Sequence, residues 1–223
     1  VGAIAGDSLT TGADNTALGY NALSSEDTGS RNIAIGVSAL ANLNYNGLGH
    51  NIAIGYNAGI YVTSGRYNVL MGNAAGDALT TGARNTAIGY AALSTEDAFG
   101  YNVAIGSGSL ATLNAGGDGY NVAVGNDTGA AITTGIRNTI MGSHAGDALT
   151  TGSWNVAIGY DALSTEDGRG SSTAIGYRTL QNQNAPGVES YNVAVGFDAG
   201  RLVSTGIRNT LMGGFAGDAL TTG

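Results

Sequence analysis

Apolar and polar positions alternate over a five-residue word, Asn-x-Ala-(Ile/Leu/Val/Met)-Gly, that recurs along the whole chain. It begins at Asn15, Asn32, Asn51, Asn68, Asn85, Asn102, Asn121, Asn138, Asn155, Ser172, Asn192 and Asn209, and its Gly never varies. Alternation of this kind predicts a short β-strand. In Asn15-Thr16-Ala17-Leu18-Gly19 it puts Thr16 and Leu18 on one face and Asn15, Ala17 and Gly19 on the other. The first face is expected to look inward and the Ala face outward.

The words follow one another at 17, 19, 17 and 17 residues, the series repeats, and it ends on 17, 20 and 17. Four short units therefore make a super-unit of 70 residues, as Gly76 to Asp97 and Gly146 to Asp167 show by near identity. Seventeen residues with one strand word are too few for a helix hairpin, and no helical period is present. The expected fold is all-β, a parallel β-roll or β-solenoid with one coil per word. It is read as one continuous domain over 1–223, a partial coil 1–14 followed by coils starting at 15, 32, 51, 68, 85, 102, 121, 138, 155, 172, 192 and 209. At a strand spacing of about 4.8 Å such a stack would be on the order of 60 Å long.

Interior volume is kept in a second pattern. Eight residues after the Asn, the first two coils of each super-unit carry Leu (Leu23, Leu40, Leu93, Leu110, Leu163, Leu180) and the last two carry Gly (Gly59, Gly76, Gly129, Gly146, Gly200, Gly217). Three places further on the Gly coils supply Val62, Leu79, Ile132, Leu149, Val203 and Leu220. Corners such as Thr63-Ser64-Gly65 and Thr80-Thr81-Gly82 close these coils, their Gly expected at positive φ. Extra residues of the longer coils fall in polar stretches at 42–49, 116–119 and 184–189, expected as surface loops, the last holding the only proline, Pro186.

A roll this thin encloses little and struggles to offset the ordering entropy of its residues. An outward stripe of Ala17, Ala34, Ala53 and their successors would be a long apolar patch in water. Both points lead to the expectation of an oligomer closed around that stripe, a homotrimer in preference to a two-fold pair or a single roll, with Leu70, Ile140 and Leu211 as plugs on its axis.

Composition narrows the classes. The chain has 39 Gly, no Cys and only 11% charged residues, so neither disulfides nor thiolate metal sites hold it. Its 16 acids outnumber eight scattered Arg for a net charge of -8, which disfavours nucleic acid as a partner. No 18-residue apolar run is present, so membrane insertion is not expected. A start at Val1 without Met, and ends that fall inside repeats, read as an excerpt of a longer protein.

Words such as Asn85-Thr86-Ala87-Ile88-Gly89-Tyr90 and Asn155-Val156-Ala157-Ile158-Gly159-Tyr160, each followed by Ala-Leu, resemble the Ala-Ile-Gly repeats of trimeric autotransporter adhesin heads, a style of repeat also found in phage tail fibres. The resemblance covers essentially the whole chain. It implies a left-handed parallel β-roll, trimerised along a fibre axis, extracellular on a virion or a cell surface, adhesive or spacing in role, with a host-surface glycan or receptor as partner and no catalysis.

Residues that carry chemistry elsewhere read here as structural. Glu26-Asp27, Glu96-Asp97 and Glu166-Asp167 recur once per super-unit, but adjacent carboxylates in extended chain point apart and do not make a glycosidase pair. They are expected at solvated corners. Asp7, Asp77, Asp147 and Asp218 read as turn residues bonding their own backbone rather than as a cation ring. His50 and His144 lack the spacing of a zinc site, and Gly106-Ser107-Gly108 lies between no strand and helix, so no catalytic, cofactor or metal residue is assigned. Arg and aromatic residues flanking the words (Arg31, Tyr67, Arg84, Tyr101, Trp154, Tyr160, Tyr177) are expected to stack on one another rather than to offer their faces to sugars. A structural and adhesive fibre segment, foremost a phage tail fibre shaft and alternatively a bacterial adhesin head, fits better than a polysaccharide-cleaving tailspike, whose groove needs longer loops. It also fits better than an ice-binding solenoid, whose Thr grid would be interrupted by Asp27-Thr28 and Asn44-Tyr45.

Overall fold

A computed structural model of the chain describes residues 2–168 and 170–223. By contact the chain forms two compact units, Val1–Ser107 with Gly116–Asp118, and Gly108–Ala115 with Gly119–Gly223. The first holds β1 (Thr16–Leu18), β2 (Ile33–Ile35), β3 (Ile52–Ile54), β4 (Val69–Met71), β5 (Thr86–Ile88) and β6 (Val103–Ile105). The second holds β7 (Val122–Val124), β8 (Thr139–Met141), β9 (Val156–Ile158), β10 (Thr173–Ile175), β11 (Val193–Val195) and β12 (Thr210–Met212). Every strand begins one residue after the first position of its word. Within each unit neighbouring strands pair in parallel and in register, word on word, as in Ala17 with Ala34 and Ala157 with Ala174. The fold is a parallel β-solenoid with coils about 17 residues apart, and no helix occurs among the described residues.

The faces of the strand are the reverse of those expected. The central residue points into the coil: Ala34, Ala53, Leu70, Ala87 and Ala104 in the first unit, and Ala123, Ile140, Ala157, Ala174 and Ala194 in the second, are fully buried. Its β-branched neighbours, such as Ile33 and Ile35, stay half-exposed. The reason is volume. Inside the second coil Leu40 at the eighth place and Leu43 at the eleventh already fill the space, as Leu23 and the buried Glu26 do in the first, so the strand that faces them contributes only a methyl group.

Where the eighth residue is Gly the strand can be larger. A Cβ on Gly59 would lie 2.5 Å from Leu70 Cδ1, and one on Gly76 2.7 Å from Leu70 Cδ2, so Leu70 occupies the room those two glycines leave. Ile140 stands likewise over Gly129 and Gly146, and Leu211 over Gly200 and Gly217. Leu70, Ile140 and Leu211 are thus core fillers rather than axial plugs. Leu70→Ala would leave a cavity no neighbour can close, and a loss of about 3–5 kcal/mol in urea unfolding is expected. A loss under 1 kcal/mol would mean that the coil collapses around the gap.

The residue at the head of each word from Asn32 to Asn192 is buried too, contrary to its expected outward position, and the Asn residues form a ladder. In the first unit Asn15 Oδ1 accepts the backbone N–H of Asn32 (2.9 Å), Asn32 that of Asn51 (3.2 Å), Asn51 that of Asn68 (3.1 Å), Asn68 that of Asn85 (2.9 Å) and Asn85 that of Asn102 (3.0 Å). The amide group donates across the coil to a corner carbonyl, Asn51 to Gly65 and Asn68 to Gly82, both at 2.9 Å. Asn51 and Asn68 therefore tie their own coils shut and join them to the next, whereas the amides of Asn32 and Asn102 donate back to the carbonyls of Ser30 and Gly100 two residues earlier. The second unit repeats this from Asn121 to Ser172, whose hydroxyl is buried without a partner; there Asn192 turns to Gln183 Oε1 at 2.6 Å.

The invariant Gly that ends each word has two constraints. Gly19 has φ +132°, and a Cβ there would lie 2.5 Å from the carbonyl oxygen of Gly36 in the next coil. Corner glycines behave differently from expectation: Gly65, Gly82 and Gly135 are not at positive φ. They are required because the next coil passes so close, a Cβ on Gly82 meeting the Phe99 carbonyl at 2.5 Å. Left-handed φ falls instead on the residue before each word, including Arg31, Tyr67, Arg84, Tyr101 and Trp154. The expected loop at 184–189 is at the surface, with Pro186, Gly187 and Val188 exposed.

Candidate functional surfaces

The outward strand face carries two side chains per coil. In the first unit these are Thr16, Leu18, Ile33, Ile35, Ile52, Ile54, Val69, Met71, Thr86, Ile88, Val103 and Ile105. None is charged, most are β-branched, and Leu18 and Met71 are exposed at 46% and 37%. The second unit presents the same kind of face, from Val122 and Val124 to Thr210 and Met212. Met71, Met141 and Met212 belong to this outer face. A sheet face that needs only one buried side ordinarily alternates apolar inside with polar outside. Here both sides are apolar.

Beside this face run columns of Arg and aromatic rings. His50 stacks on Tyr67 at 5.1 Å with planes 9° apart, and Arg84 lies between Tyr67 and Tyr101, 5.4 and 5.3 Å from their centroids. Arg84 Nη1 also donates to the Tyr101 hydroxyl at 3.0 Å. A second column in the other unit stacks Tyr160, Tyr177 and Phe197 at 5.5 and 5.1 Å. Arg178 sits over Tyr177 at 4.7 Å and holds the buried Asp198 through two hydrogen bonds of 2.9 and 2.7 Å. These contacts are repeat-to-repeat, as the flanking positions in the sequence suggest, each of modest strength.

The acidic pairs are not both at solvated corners. Asp97 and Asp167 are exposed, whereas Glu26 and Glu96 are fully buried and Glu166 nearly so. Glu26 Oε1 accepts the backbone N–H of Gly29 at 2.8 Å and of Asp27 at 3.2 Å. Glu96 Oε1 accepts that of Phe99 at 3.3 Å. Glu166 joins a buried polar chain, accepting the Ser190 hydroxyl at 3.0 Å, while Gln183 donates to Ser190 at 3.3 Å. The signal for this was in the sequence: each Glu stands eleven residues after its Asn, the place that Leu43, Val62 and Leu79 fill with apolar side chains. These carboxylates close the corner from inside.

Asp77 and Asp147 hold the same turn position, each with one carboxylate oxygen buried and unbonded. Burial pushes the Asp77 carboxyl above the usual carboxylate range, against the pull of the backbone N–H groups of Asp77 and Ala78. Burial also raises Asp147, partly offset by His144, whose Nδ1 lies 3.8 Å from its carboxylate. A folded pKa above the unfolded one means that the folded state binds the proton more tightly. Stability therefore falls as pH rises from the unfolded pKa through the folded one, and the penalty persists at neutral pH. Asp77→Asn should raise Tm at pH 7 and have little effect below the unfolded carboxyl pKa; an equal shift at both pH values would refute the ionisation argument. His50 is held in its stack, and among the described residues no three His, Cys, Asp or Glu side chains converge as a metal site would require.

One depression stands out in the second unit. About 350 Å³ in volume, it is lined by Thr151, Ser153, Trp154, Gly168, Gly170 and Glu189, contributed by three successive coils. Trp154 precedes β9 in left-handed conformation and is 56% exposed. Glu189 ends the 184–189 loop, its Oε2 accepting the Gly170 N–H at 3.1 Å and the Ser171 hydroxyl at 3.3 Å. Sequence reasoning placed Trp154 among the stacking residues and Glu189 in a loop, and did not bring them together.

No family pattern, curated protein or solved structure matches this chain.

Proposed function

We propose that the chain is a structural, non-enzymatic segment of an extracellular fibre in which three copies pack along a common axis, as in a phage tail fibre shaft or, alternatively, a bacterial surface adhesin. One observation carries this reading: an uncharged, half-exposed Ile/Val/Met strand face on coils whose interior is already full. A contiguous apolar face of this kind is what an interaction surface presents. A flat row of β-branched side chains repeated in every coil suits association with an identical row from another copy, and the Ala-Ile-Gly words favour three copies around one axis. A coil that locks each layer to the next through Asn and Gly suits reach and stiffness rather than conformational chemistry. Sedimentation equilibrium of the purified chain should give three times the 22.1 kDa chain mass. A monomer across the accessible concentration range would overturn the assembly.

A further inference from the structure

We infer that Asn46 is a self-modification site, at which the folded chain loses a side-chain amide as ammonia and acquires aspartate or isoaspartate with water as the only co-reactant. The inference goes beyond the fibre reading and does not rest on it. Asn46-Gly47 is the only Asn-Gly pair in the chain, and the same place holds Gly116-Gly117 in the next super-unit and Pro186-Gly187 in the one after. Burial separates it from the other Asn residues. Those at the word heads from Asn32 to Asn192 are buried in the ladder, and each is followed by Ile, Val or Thr, whose branched side chain shields the next backbone nitrogen. Asn46 is exposed, and Gly47 has no Cβ to obstruct attack by its nitrogen on the amide carbon. The Gly47 N–H donates to the Tyr45 carbonyl at 2.8 Å, a bond inside the loop, so opening the loop tip frees it without parting two coils. From the preceding coil, Thr28 Oγ1 donates to Asn46 Oδ1 at 2.6 Å. That places a donor on the oxygen where negative charge develops.

The Gly47 nitrogen gives its proton to solvent base and bonds to Asn46 Cγ, the Cγ–Nδ2 bond breaks, and Nδ2 takes up a proton and leaves as ammonia. A cyclic imide results. Water then adds to one of its two carbonyl carbons. Breaking the bond from the Gly47 nitrogen to Cγ gives aspartate, and breaking the bond from that nitrogen to the main-chain carbonyl carbon gives isoaspartate. Either product adds one negative charge, and isoaspartate also lengthens the main chain by a methylene. The loop is fixed to the preceding coil just beyond this point, where Ser30 N–H donates to the Gly47 carbonyl and Gly49 N–H to the Ser30 carbonyl, both at 2.9 Å, around a bridge between Ser30 and Leu48. A longer main chain at residue 46 shifts these groups, so this link between coils loosens as the protein ages.

The test uses the full folded chain, held for days in mildly alkaline buffer and then unfolded and cut after Arg, which releases Asn32 to Arg66 as one peptide. Fragment masses should place a gain of about 1 Da at Asn46. Its rate should exceed that of every other Asn in the chain at least about tenfold. Gly47 is not at positive φ, and the atoms nearest a Cβ there all belong to the Tyr45 side chain, which can move, so Gly47→Ala keeps the fold. That variant should slow the gain at least about tenfold. Thr28→Val should slow it about threefold or more, while Thr28→Ser, which keeps the hydroxyl, should react as the parent does. An Asn46 that keeps its mass, another Asn that reacts as fast, or an undiminished rate in Gly47→Ala would each overturn the site. A parent rate in Thr28→Val would remove Thr28 from the reaction.

Discussion

Ile88→Asp in the first unit, or Ile158→Asp in the second, should convert the proposed trimer to monomer while leaving the β-rich circular dichroism spectrum in place. Ile88 and Ile158 are half-exposed on the outward strand face. On a free coil an Asp there stays in water and costs little beyond lost β-propensity. Packed against its copies in an assembly, each chain would bury a carboxylate without a counter-charge, a penalty of several kcal/mol per chain. The companion variant Ala104→Glu reads differently from what the sequence suggests. Ala104 is wholly inside its coil, so a Glu there should unfold the local coil whatever the oligomeric state. An Ile88→Asp chain that sediments like the parent would remove this face from the assembly.

Asn138→Ala is expected to be strongly destabilising, as are the equivalent changes at Asn51 and Asn68. Asn138 is fully buried, and its amide donates to Gly152 O at 2.9 Å while its Oδ1 accepts the Asn155 N–H at 2.9 Å. Truncation leaves a buried donor and a buried acceptor without partners, at about 1–3 kcal/mol each. A loss of about 2–6 kcal/mol should appear as a lower urea midpoint, with faster hydrogen exchange at the Asn155 amide. Because a stack of coils unfolds by neighbouring layers, the exchange effect should be strongest in the adjoining coils. A change within about 0.5 kcal/mol, the size of an ordinary surface substitution, would show that water replaces the rung.

The aromatic and Arg columns have a smaller part in stability, since each stack is partly exposed. Their value lies in register: His50 on Tyr67 and Tyr177 on Phe197 repeat at the coil spacing and align successive corners. Slippage by one coil would replace these pairs with mismatched neighbours and would set Leu70 against Leu23 or Leu40 instead of against glycine. The 70-residue rhythm thus specifies which coil follows which, something a uniform 17-residue repeat would leave open.

Periodicity was legible in the chain itself. The words located all twelve strands, because an invariant Gly at the close of each and a polar loop in each long coil punctuate a pattern no helix can match. The places eight and eleven residues after Asn were also legible as interior, and Leu23, Leu40, Val62 and Leu79 are buried. What alternation could not decide was which face is inside, since a period of two defines two faces with equal clarity and gives neither a sign. Tertiary structure decided it by volume: with Leu already projecting from the opposite walls, only Ala fits from the strand, and Leu70 fits only where Gly59 and Gly76 make room. Once the strand turned that way, Asn15 and its successors came inside, where their amides satisfy backbone groups the thin coil would otherwise orphan, and Ile and Val went outside. Glu26, Glu96 and Glu166 followed the same geometry, drawn inward by their place in the coil although their chemistry alone assigned them to water. The meeting of Trp154 with Glu189 was likewise out of reach of the sequence, because 35 positions of chain separate two residues that the stacking of three coils brings to one depression.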